Sequence, residues 1–343
     1  MRVLQVDSGR EWRGGQNQVR LLCRELAREP GVEQRLLTKR GSELARRATR
    51  DGTPVAEAPW DLGLDPRAWW RLRRTVASFK PDIVHAHDSH ALTLAVGARA
   101  GALVATRRVD FHVGRFSGWR AADRIVAISD AVKQILVADG LPATDIAVVP
   151  SGIDPAEVRR AAERPSDVRA RLGIARRSPL AVNVAALVDH KDQRTLIRAA
   201  RQARALRPDL HWLIAGEGEL RRSLTAEIAR LELADRVHLL GYVEEADALI
   251  READVLVMSS KEEGLGSVIL HALALGTPVV ATAGGGIPEI LPPEALVPVG
   301  DAAALAGKVV DALSPAASRF PLPARFMASA MAQGVLAVYR SLL

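Results

Sequence analysis

The sequence predicts an α/β protein of two doubly wound, Rossmann-like domains. Short apolar runs alternate with helix-like segments over most of the 343 residues, as parallel strands joined by crossover helices require. The alternation breaks at Pro150-Ser-Gly-Ile-Asp154 and then resumes. A chain of this length also exceeds the usual size of a single hydrophobic core.

The first predicted domain covers residues 1–165. Arg2-Val-Leu-Gln-Val-Asp7 has the composition of a buried strand, and it is followed by a glycine loop and by the helical spacing of Val19, Leu22 and Leu26. Further strands are predicted from the apolar runs at residues 83–84, 103–105, 125–128 and 146–149.

The second predicted domain covers residues 166–325. An Arg-, Glu- and Pro-rich stretch up to Ser178 is predicted as a hinge and linker, after which strand candidates return at residues 180–184, 211–215, 237–239, 255–258 and 278–281. Residues 326–343 are predicted as an amphipathic helix, with Phe326, Met331 and Val335 on or near one face.

Composition narrows the class of protein. With 48% hydrophobic and 25% charged residues the chain is globular, and its apolar stretches are far shorter than the roughly 20 residues of a membrane-spanning helix. The single cysteine, Cys23, excludes an internal disulfide framework and fits a reducing compartment. We therefore expect a cytoplasmic protein.

The net charge of +7 comes from the first half of the chain. Residues 1–165 carry 27 Lys and Arg against 20 Asp and Glu, whereas residues 166–343 carry 20 of each. A basic surface attracts nucleic acid, anionic lipid or phosphorylated substrates. Nucleic acid is the least favoured partner, because the basic residues show no stacking platform and no recognised motif.

The strongest local signal is the segment Ser260-Lys-Glu-Glu-Gly-Leu-Gly-Ser267. A predicted strand before it delivers Glu263 and two glycines to the start of a helix, whose free N–H groups and dipole favour phosphate oxygens. Glu263 and His271 lie eight positions apart, so both can face one ligand from successive turns.

This segment resembles the signature of the retaining nucleotide-sugar glycosyltransferases of family 4, the group 1 type. The resemblance implies the GT-B fold, in which two Rossmann-like domains face each other across a cleft, and a donor that is a nucleotide-sugar. By resemblance Glu263 contacts the donor sugar and acts in catalysis, while the backbone of four residues faces the diphosphate and sugar: Gly264, Leu265, Gly266 and Ser267.

His271 stands where the family has a second glutamate, which binds the ribose hydroxyls. A histidine offers one hydrogen bond through each nitrogen and no bidentate carboxylate, so the nucleotide preference is open. The alternative is that His271 is only a packed helix residue. Further along, the family usually places the nucleotide base against backbone near Tyr242.

A second resemblance covers Asn183-Val-Ala-Ala-Leu-Val-Asp-His-Lys-Asp192. Lys191 stands at the position of one of the family's two diphosphate-binding cations, but Ala186 occupies the position of the expected arginine. His190, or a basic residue from the N-terminal half, is the predicted substitute. Without the surrounding match, Lys191 would be read as a solvated loop lysine.

The N-terminal half supplies the expected acceptor site. Gly14 and Gly15 look like the family's glycine loop near the donor phosphates, although a simple turn is the alternative. His85 and His87 end a strand that resembles the one at the family's cleft; taken alone, they would be satisfied strand-end histidines. We predict that the acceptor contacts five residues, with His87 and Arg108 also assigned to catalysis: His85, His87, Arg107, Arg108 and Asp110.

Arg108 stands where the family commonly has a histidine near the reacting sugar. An arginine stays protonated at neutral pH, so it would act by its charge on a phosphate or an anionic acceptor.

The segment Arg67 to Lys80 combines adjacent tryptophans with several arginines. This mixture suits a helix that lies on an anionic membrane surface, and equally an ordinary helix with Trp and Leu inward and Arg outward. The first alternative predicts peripheral contact with the inner face of the cytoplasmic membrane.

These observations predict a retaining transferase that moves a sugar from a nucleotide-diphosphate sugar, expected to be a UDP-sugar, to a glycan or lipid-linked acceptor such as a lipopolysaccharide core precursor. No cofactor and no metal ion are expected. Two alternatives stay open. One is a nucleotide-sugar epimerase or phosphorylase, and the other is a non-catalytic GT-B-like binding or scaffold protein, which the departures at Ala186, His271 and Arg108 would favour.

Overall fold

A computed structural model describes residues 1–98, 101–114 and 117–343. The chain divides into two compact units. The first comprises Met1–Ile153 and Ala324–Leu343, and the second comprises Asp154–Pro323. The first unit thus ends before residue 165, because the helix that follows Asp154 packs on helices of the second unit.

The described part of the first unit is built on a seven-stranded parallel sheet with the strand order β3-β2-β1-β4-β5-β6-β7. Its strands are β1 (Arg2–Asp7), β2 (Glu33–Lys39), β3 (Val55–Ala58), β4 (Ile83–Ala86), β5 (Ala102–Arg107), β6 (Arg124–Ala127) and β7 (Ile146–Val148). The helices between them are α1 (Gly14–Leu26), α2 (Glu43–Arg50), α3 (Pro66–Phe79), α4 (Ser89–Gly97) and α5 (Asp130–Ala138).

The second unit contains a six-stranded parallel sheet with the order β10-β9-β8-β11-β12-β13. Its strands are β8 (Leu180–Val184), β9 (His211–Ala215), β10 (Val237–Gly241), β11 (Val255–Met258), β12 (Val279–Thr282) and β13 (Leu296–Val297). Its helices are α6 (Pro155–Ala162), α7 (Val168–Leu172), α8 (Gln193–Ala203), α9 (Arg221–Arg230), α10 (Ala246–Glu252), α11 (Ser267–Leu275) and α12 (Ala302–Ala312). Both units are therefore doubly wound α/β folds, as predicted.

The last helix, α13 (Ala328–Arg340), belongs to the first unit. Met331, Val335 and Tyr339 are buried in the same core cluster as Val3 and Ile83 of the central strands. The apolar spacing of the helix gives it one face to bury, and the sheet of the first unit receives that face.

The segment that the sequence predicts as a linker is largely helical. Asp154 accepts hydrogen bonds from the backbone N–H groups of Ala156 and Glu157, at 2.9 and 3.2 Å, and so caps α6. Pro155 occupies the first turn, where its missing N–H costs nothing. The Arg- and Glu-rich composition reflects the exposed face of α6, whose Val158 and Ala162 are buried.

Parallel pairing determines where each unit presents its loops. β1 pairs with β4 and β4 with β5, in register, so the residues after Val6, Ala86 and Ala105 emerge at one edge of the sheet. In the second unit β8 pairs with β11, which brings the residues after Val184 and Met258 to one edge. Ligands bind at this edge in open α/β sheets.

Across residues 1–98, 101–114 and 117–343, every helix is too short or too polar to span a bilayer.

Two glycines in helix interiors provide a test of core packing in the two units. A Cβ atom at Gly334, in α13, would lie 2.7 Å from Cγ1 of the stiff Val149 side chain, whereas a Cβ atom at Gly307, in α12, would meet nothing within 4 Å. We expect Gly307→Ala to raise the free energy of unfolding by about 0.5–1 kcal/mol. Gly334→Ala should lower it by about 1–3 kcal/mol. Urea denaturation measures both, and a gain in both variants would contradict the packing of α13.

Candidate functional site

In the second unit, Glu263 and Lys191 form an ion pair. Lys191 Nζ donates to Glu263 Oε2 at 2.5 Å, and the hydroxyl of Ser260 donates to the same oxygen at 3.3 Å. Each of the two charged side chains is only 15% exposed. The pair connects the loop after β8 with the loop after β11, which the sequence predicts separately as phosphate-binding and sugar-binding.

The loop that carries Glu263 is held by backbone contacts. Gly286 N–H donates to the Glu263 carbonyl at 2.8 Å, and a Cβ atom at Gly285, whose φ is +52°, would lie 2.1 Å from that oxygen. Only glycine permits this approach. Gly266, at φ +87°, precedes α11, whose N-terminus at Ser267 has no side-chain cap. Its first N–H groups form a site that favours an anion.

The other residues predicted to bind the donor have distinct positions. His190 precedes Lys191, and its carbonyl accepts the Lys261 N–H at 2.9 Å, which joins the two loops again. Gly264 and Leu265 are buried between Glu263 and α11. Tyr242 follows β10 and is 68% exposed.

His271 is paired with an acid that the sequence did not reveal. Its Nδ1 lies 2.6 Å from Oδ1 of Asp247, in the first turn of α10. The two side chains are 24% and 18% exposed. Nδ1–H donates to the carboxylate, and in the tautomer with that single proton Nε2 is an acceptor. An isolated aspartate in a short helix gives no sequence signal for this partnership.

In the first unit, the predicted site residues Arg108 and His87 begin a chain of hydrogen bonds. Arg108 Nη2 lies 3.2 Å from Nδ1 of His87, and His87 Nε2 lies 2.7 Å from Oε1 of Gln5. Guanidinium groups only donate, so His87 Nδ1 accepts and Nε2 carries the proton that is donated to Gln5. The bond from Arg108 thereby fixes the tautomer of His87.

The chain continues from Gln5 to the C-terminal helix. Gln5 Nε2 donates to the hydroxyl of Tyr339 at 3.1 Å, and that hydroxyl donates to Nδ1 of His85 at 2.6 Å. His85 Nε2–H then donates to Oγ1 of Thr106 at 2.6 Å. Each hydrogen bond in this series orients the donor of the next one. Tyr339 therefore helps to orient Gln5 on β1, His85 on β4 and, through His85, Thr106 on β5.

These contacts determine what the two predicted histidines present to a ligand. His85 is fully buried and both of its ring nitrogens are bonded, and His87 is 4% exposed with both nitrogens bonded. Burial, with a contribution from the Arg108 charge, lowers the pKa of His85 to about 3; burial and neighbouring charges also hold the pKa of His87 well below its usual value. Both rings are neutral, and in this arrangement they position neighbouring groups.

Arg108 lies against the predicted glycine loop. A Cβ atom at Gly15 would be 3.6 Å from Arg108 Cδ, and α1 begins at Gly14 without a side-chain cap. Burial lowers the pKa of Arg108 to about 10, and the charges of Asp7 and Asp88 oppose that shift. Arg108 is therefore a cation at neutral pH beside a helix N-terminus.

Asp7 is a buried carboxyl group beside this arginine. It is 1% exposed, and its Oδ1 accepts the Gly9 N–H at 2.8 Å. Burial, followed by the charge of Asp88, raises the pKa of Asp7 to about 7; the hydrogen bonds from Gly9 and Gln16 and the Arg108 charge act in the opposite direction.

Arg107 and Arg108 do not share one site. Arg108 contacts His87, whereas the Arg107 guanidinium lies 5.2 Å from the ring centre of Trp119 and donates to the Phe111 carbonyl. Asp110 follows them, and its buried Oδ2 has no hydrogen-bond partner among residues 1–98, 101–114 and 117–343. Within the parts of the chain that the structure describes, no group of three or more His, Cys, Asp or Glu side chains is placed to hold a metal ion.

Two parallel, doubly wound sheets with glycine-rich loops before helix N-termini define an α/β protein of the nucleotide-binding type. Two family models match the chain: "Glycosyltransferase Family 4" over residues 12–157 and "Glycosyl transferases group 1" over residues 166–327. The chain belongs to the group 1 glycosyltransferases of the family 4 type.

Curated relatives share this assignment. The "GDP-mannose-dependent monoacylated alpha-(1-6)-phosphatidylinositol monomannoside mannosyltransferase" of Corynebacterium glutamicum is 35% identical over 155 residues, which cover 42% of this chain and 40% of that protein. The chain thus spans less than half the length of that relative. The 2-deoxystreptamine N-acetyl-D-glucosaminyltransferase of Streptomyces fradiae is 28% identical over 356 residues, which cover 88% of this chain and 83% of that protein.

A solved structure gives the fold. Anabaena Alr3699/HepE, crystallised in complex with UDP and glucose, superposes with a TM-score of 0.81 over 100% of both chains at 21% identity. The predicted GT-B fold class is confirmed.

The pKa of Asp7 leads to a prediction about pH. A carboxyl whose pKa is raised in the folded protein binds its proton more tightly there than in the unfolded chain, so stability falls as the pH rises from about 4 through about 7. Asp7→Asn keeps an oxygen for the Gly9 N–H and removes the charge. We expect the variant to gain stability relative to the wild type across this range, on the order of a few kcal/mol by pH 8. Urea denaturation at pH 5, 6.5 and 8 measures the gain, and a pH-independent difference would exclude this titration.

Proposed function

We propose that the protein transfers a sugar from a nucleotide-diphosphate sugar, with retention of anomeric configuration, to a glycan or lipid-linked acceptor. The observation that carries the proposal is the Lys191–Glu263 pair beside the uncapped N-terminus of α11. A diphosphate and a sugar need a cation with N–H donors and a carboxylate acceptor side by side, and this loop pair provides both.

Donor binding would redistribute the bonds of this pair. Lys191 would donate to a phosphate oxygen and stabilise the charge that develops on the leaving diphosphate. Glu263 would then accept hydrogen bonds from sugar hydroxyl groups, with Ser260 still donating to it. The N–H groups at Ser267 would face the same diphosphate.

The pair of His271 and Asp247 supports a role for His271 in nucleotide recognition. With Nδ1–H donated to Asp247, Nε2 can accept one hydrogen bond from a ribose hydroxyl, where the family's glutamate would accept two. We propose a UDP-sugar as donor. Alr3699/HepE was crystallised with UDP and the C. glutamicum relative is named as GDP-mannose-dependent, so both nucleotides belong in the test.

The first unit would bind the acceptor. Arg108 is a cation beside the N-terminus of α1, and the chain of hydrogen bonds through His87 and Gln5 holds it there. Arg108 would act on the acceptor through its positive charge. Family resemblance supports front-face displacement, in which the departing phosphate assists the acceptor hydroxyl, and no residue of the chain is assigned as a covalent nucleophile.

The first experiment measures thermal stabilisation by UDP-, GDP-, ADP-, dTDP- and CMP-sugars. One nucleotide should stabilise the protein, by about 2.7 kcal/mol at 100 times its dissociation constant. Glu263→Gln should weaken binding of that donor roughly tenfold or more, because a charged acceptor is lost. Glu262→Gln, at the exposed neighbouring position, is the matched control. Asp247→Asn should weaken donor binding by a smaller factor.

The outcomes separate the proposed activity from its rivals. Product analysis with the stabilising donor should show glycoside formation that depends on acceptor, with the anomeric proton coupling of the donor retained. Isomerised or cleaved donor without acceptor would favour an epimerase or phosphorylase. No stabilisation by any donor, in a protein with cooperative unfolding, would favour the scaffold interpretation and contradict the proposal.

We also propose that α3 contacts an anionic membrane surface. Trp70 is 55% exposed, and the guanidinium groups of Arg74 and Arg73 lie 4.7 and 5.1 Å from the ring centres of Trp70 and Trp69. Neither arginine forms an ion pair with an acid in the described residues, whereas Arg67 is bonded to Asp61 and Asp65. An exposed indole with unpaired cations on one helix face suits a headgroup layer.

Vesicle sedimentation tests this surface. The protein should bind vesicles that contain phosphatidylglycerol and not vesicles of phosphatidylcholine alone. Because each arginine near such a surface contributes about 1 kcal/mol, the Arg73→Gln/Arg74→Gln variant should bind at least roughly tenfold more weakly. Arg176→Gln/Arg177→Gln, which removes two exposed arginines of the second unit, is the control for net charge. Equal loss in the control, or no binding by the wild type, would leave α3 as an ordinary surface helix.

A further inference from the structure

A cavity of about 300 Å³ lies in the first unit, beside α4 and the segment after β5. Its walls include the apolar side chains of Leu92, Val113 and Trp119 and the polar side chains of Arg107 and Ser117. The volume is at the lower end of the range for small-molecule sites, which corresponds to a ligand of about one sugar unit.

Arg107 is a buried cation in the wall of this cavity. The residue is 7% exposed, Nη2 donates to the Phe111 carbonyl, and Nε has no hydrogen-bond partner in the part of the chain that the structure describes. Within the described residues it forms no ion pair; Asp139 and Asp110 act on it only as more distant charges. Asp139 already accepts from His112 Nδ1 at 2.6 Å and from the Val113 N–H at 2.7 Å.

A second donor in the same wall is unpaired. The hydroxyl of Ser117 is buried without a hydrogen-bond partner among the described residues, and Ser117 lines the cavity with Arg107. A buried cation without an ion pair and an unsatisfied buried hydroxyl both cost stability. A bound group that has only acceptor atoms and a negative charge would offset the charge of Arg107.

The shape of the donors indicates which group fits. A guanidinium binds planar carboxylates and phosphates through parallel N–H bonds. Leu92, Val113 and Trp119 bound the cavity, and its volume exceeds that of a free inorganic ion.

We propose that this cavity binds a phosphate or carboxylate group carried by a sugar unit of the acceptor. The identity of the ligand as acceptor rests on the proposed function, whereas anion binding at Arg107 does not. Arg107 and Arg108 are consecutive and contact different groups, so Arg107 recognises the acceptor anion in the cavity while Arg108 stays beside Asp7 and His87.

Isothermal titration with four probes at constant ionic strength tests the site: inorganic phosphate, glucose 6-phosphate, glucuronate and glucose. Glucose 6-phosphate and glucuronate should bind, inorganic phosphate more weakly, and glucose least. Arg107→Gln should weaken binding of glucose 6-phosphate roughly tenfold or more, and Arg107→Lys should weaken it less. Arg40→Gln removes an exposed cation elsewhere in the first unit and should leave binding unchanged.

A stability measurement separates a binding role from a structural one. Without ligand, Arg107→Gln should melt at the same temperature as the wild type or higher, because it removes a buried charge that has no ion pair among the described residues. A lower melting temperature with unchanged glucose 6-phosphate binding would make Arg107 a structural anchor through Trp119 and Phe111 and overturn the proposal.

Two further results would also overturn the proposal: wild-type protein that binds none of the anions, and equal losses in Arg107→Gln and Arg40→Gln. The binding of UDP-sugar by Arg107→Gln is measured in parallel. This measurement shows whether a loss of anion binding concerns the Arg107 site alone or also the proposed donor site. Retained donor binding with no anion binding would reject only the Arg107 site.

Discussion

Parallel strand pairing is the constraint on which both candidate sites depend. Because every named strand pair is parallel, the residues that follow the strands collect at one edge of each sheet. Lys191 and Glu263 are 72 positions apart and meet because β8 and β11 are neighbours. Asp7, His87 and Arg108 meet for the same reason at the ends of β1, β4 and β5. The glycines then determine how closely the loops approach one another.

Burial decides what the polar side chains at these edges can do. His85 and His87 are inside the first unit, where a positive charge would lose its hydration, so they stay neutral and serve as hydrogen-bond links. The links pass through Tyr339 of α13, which joins Gln5 to His85. The last helix therefore contributes more than apolar surface, since its hydroxyl fixes the amide of Gln5 and, through His87, the direction of Arg108. A half-satisfied network in this position would cost stability.

Sequence reasoning located the elements whose patterns are local. Continuous apolar runs identified β1, β4 to β7 and β8 to β12. It missed β2 (Glu33–Lys39) and β3 (Val55–Ala58), where polar residues interrupt the runs, and the two-residue β13. It also read α6 as linker, because a helix with one narrow buried face has a polar composition. These elements owe their structure to neighbours in the fold.

The residues of the two sites also fall into two groups: those that a local motif predicts and those that only the fold brings together. Glu263 and Lys191 could be named from loop motifs, but Asp247, Gln5 and Tyr339 could not, because each is chosen by proximity that only the fold creates. The contact with Asp247 is relevant to the role of His271, which stands where the family has a glutamate. A histidine that was merely packed in α11 would need no charged partner, yet this one holds a carboxylate at 2.6 Å in a largely buried position. With Nδ1–H held by Asp247, Nε2 is the ring nitrogen that would orient a ligand under the proposed function.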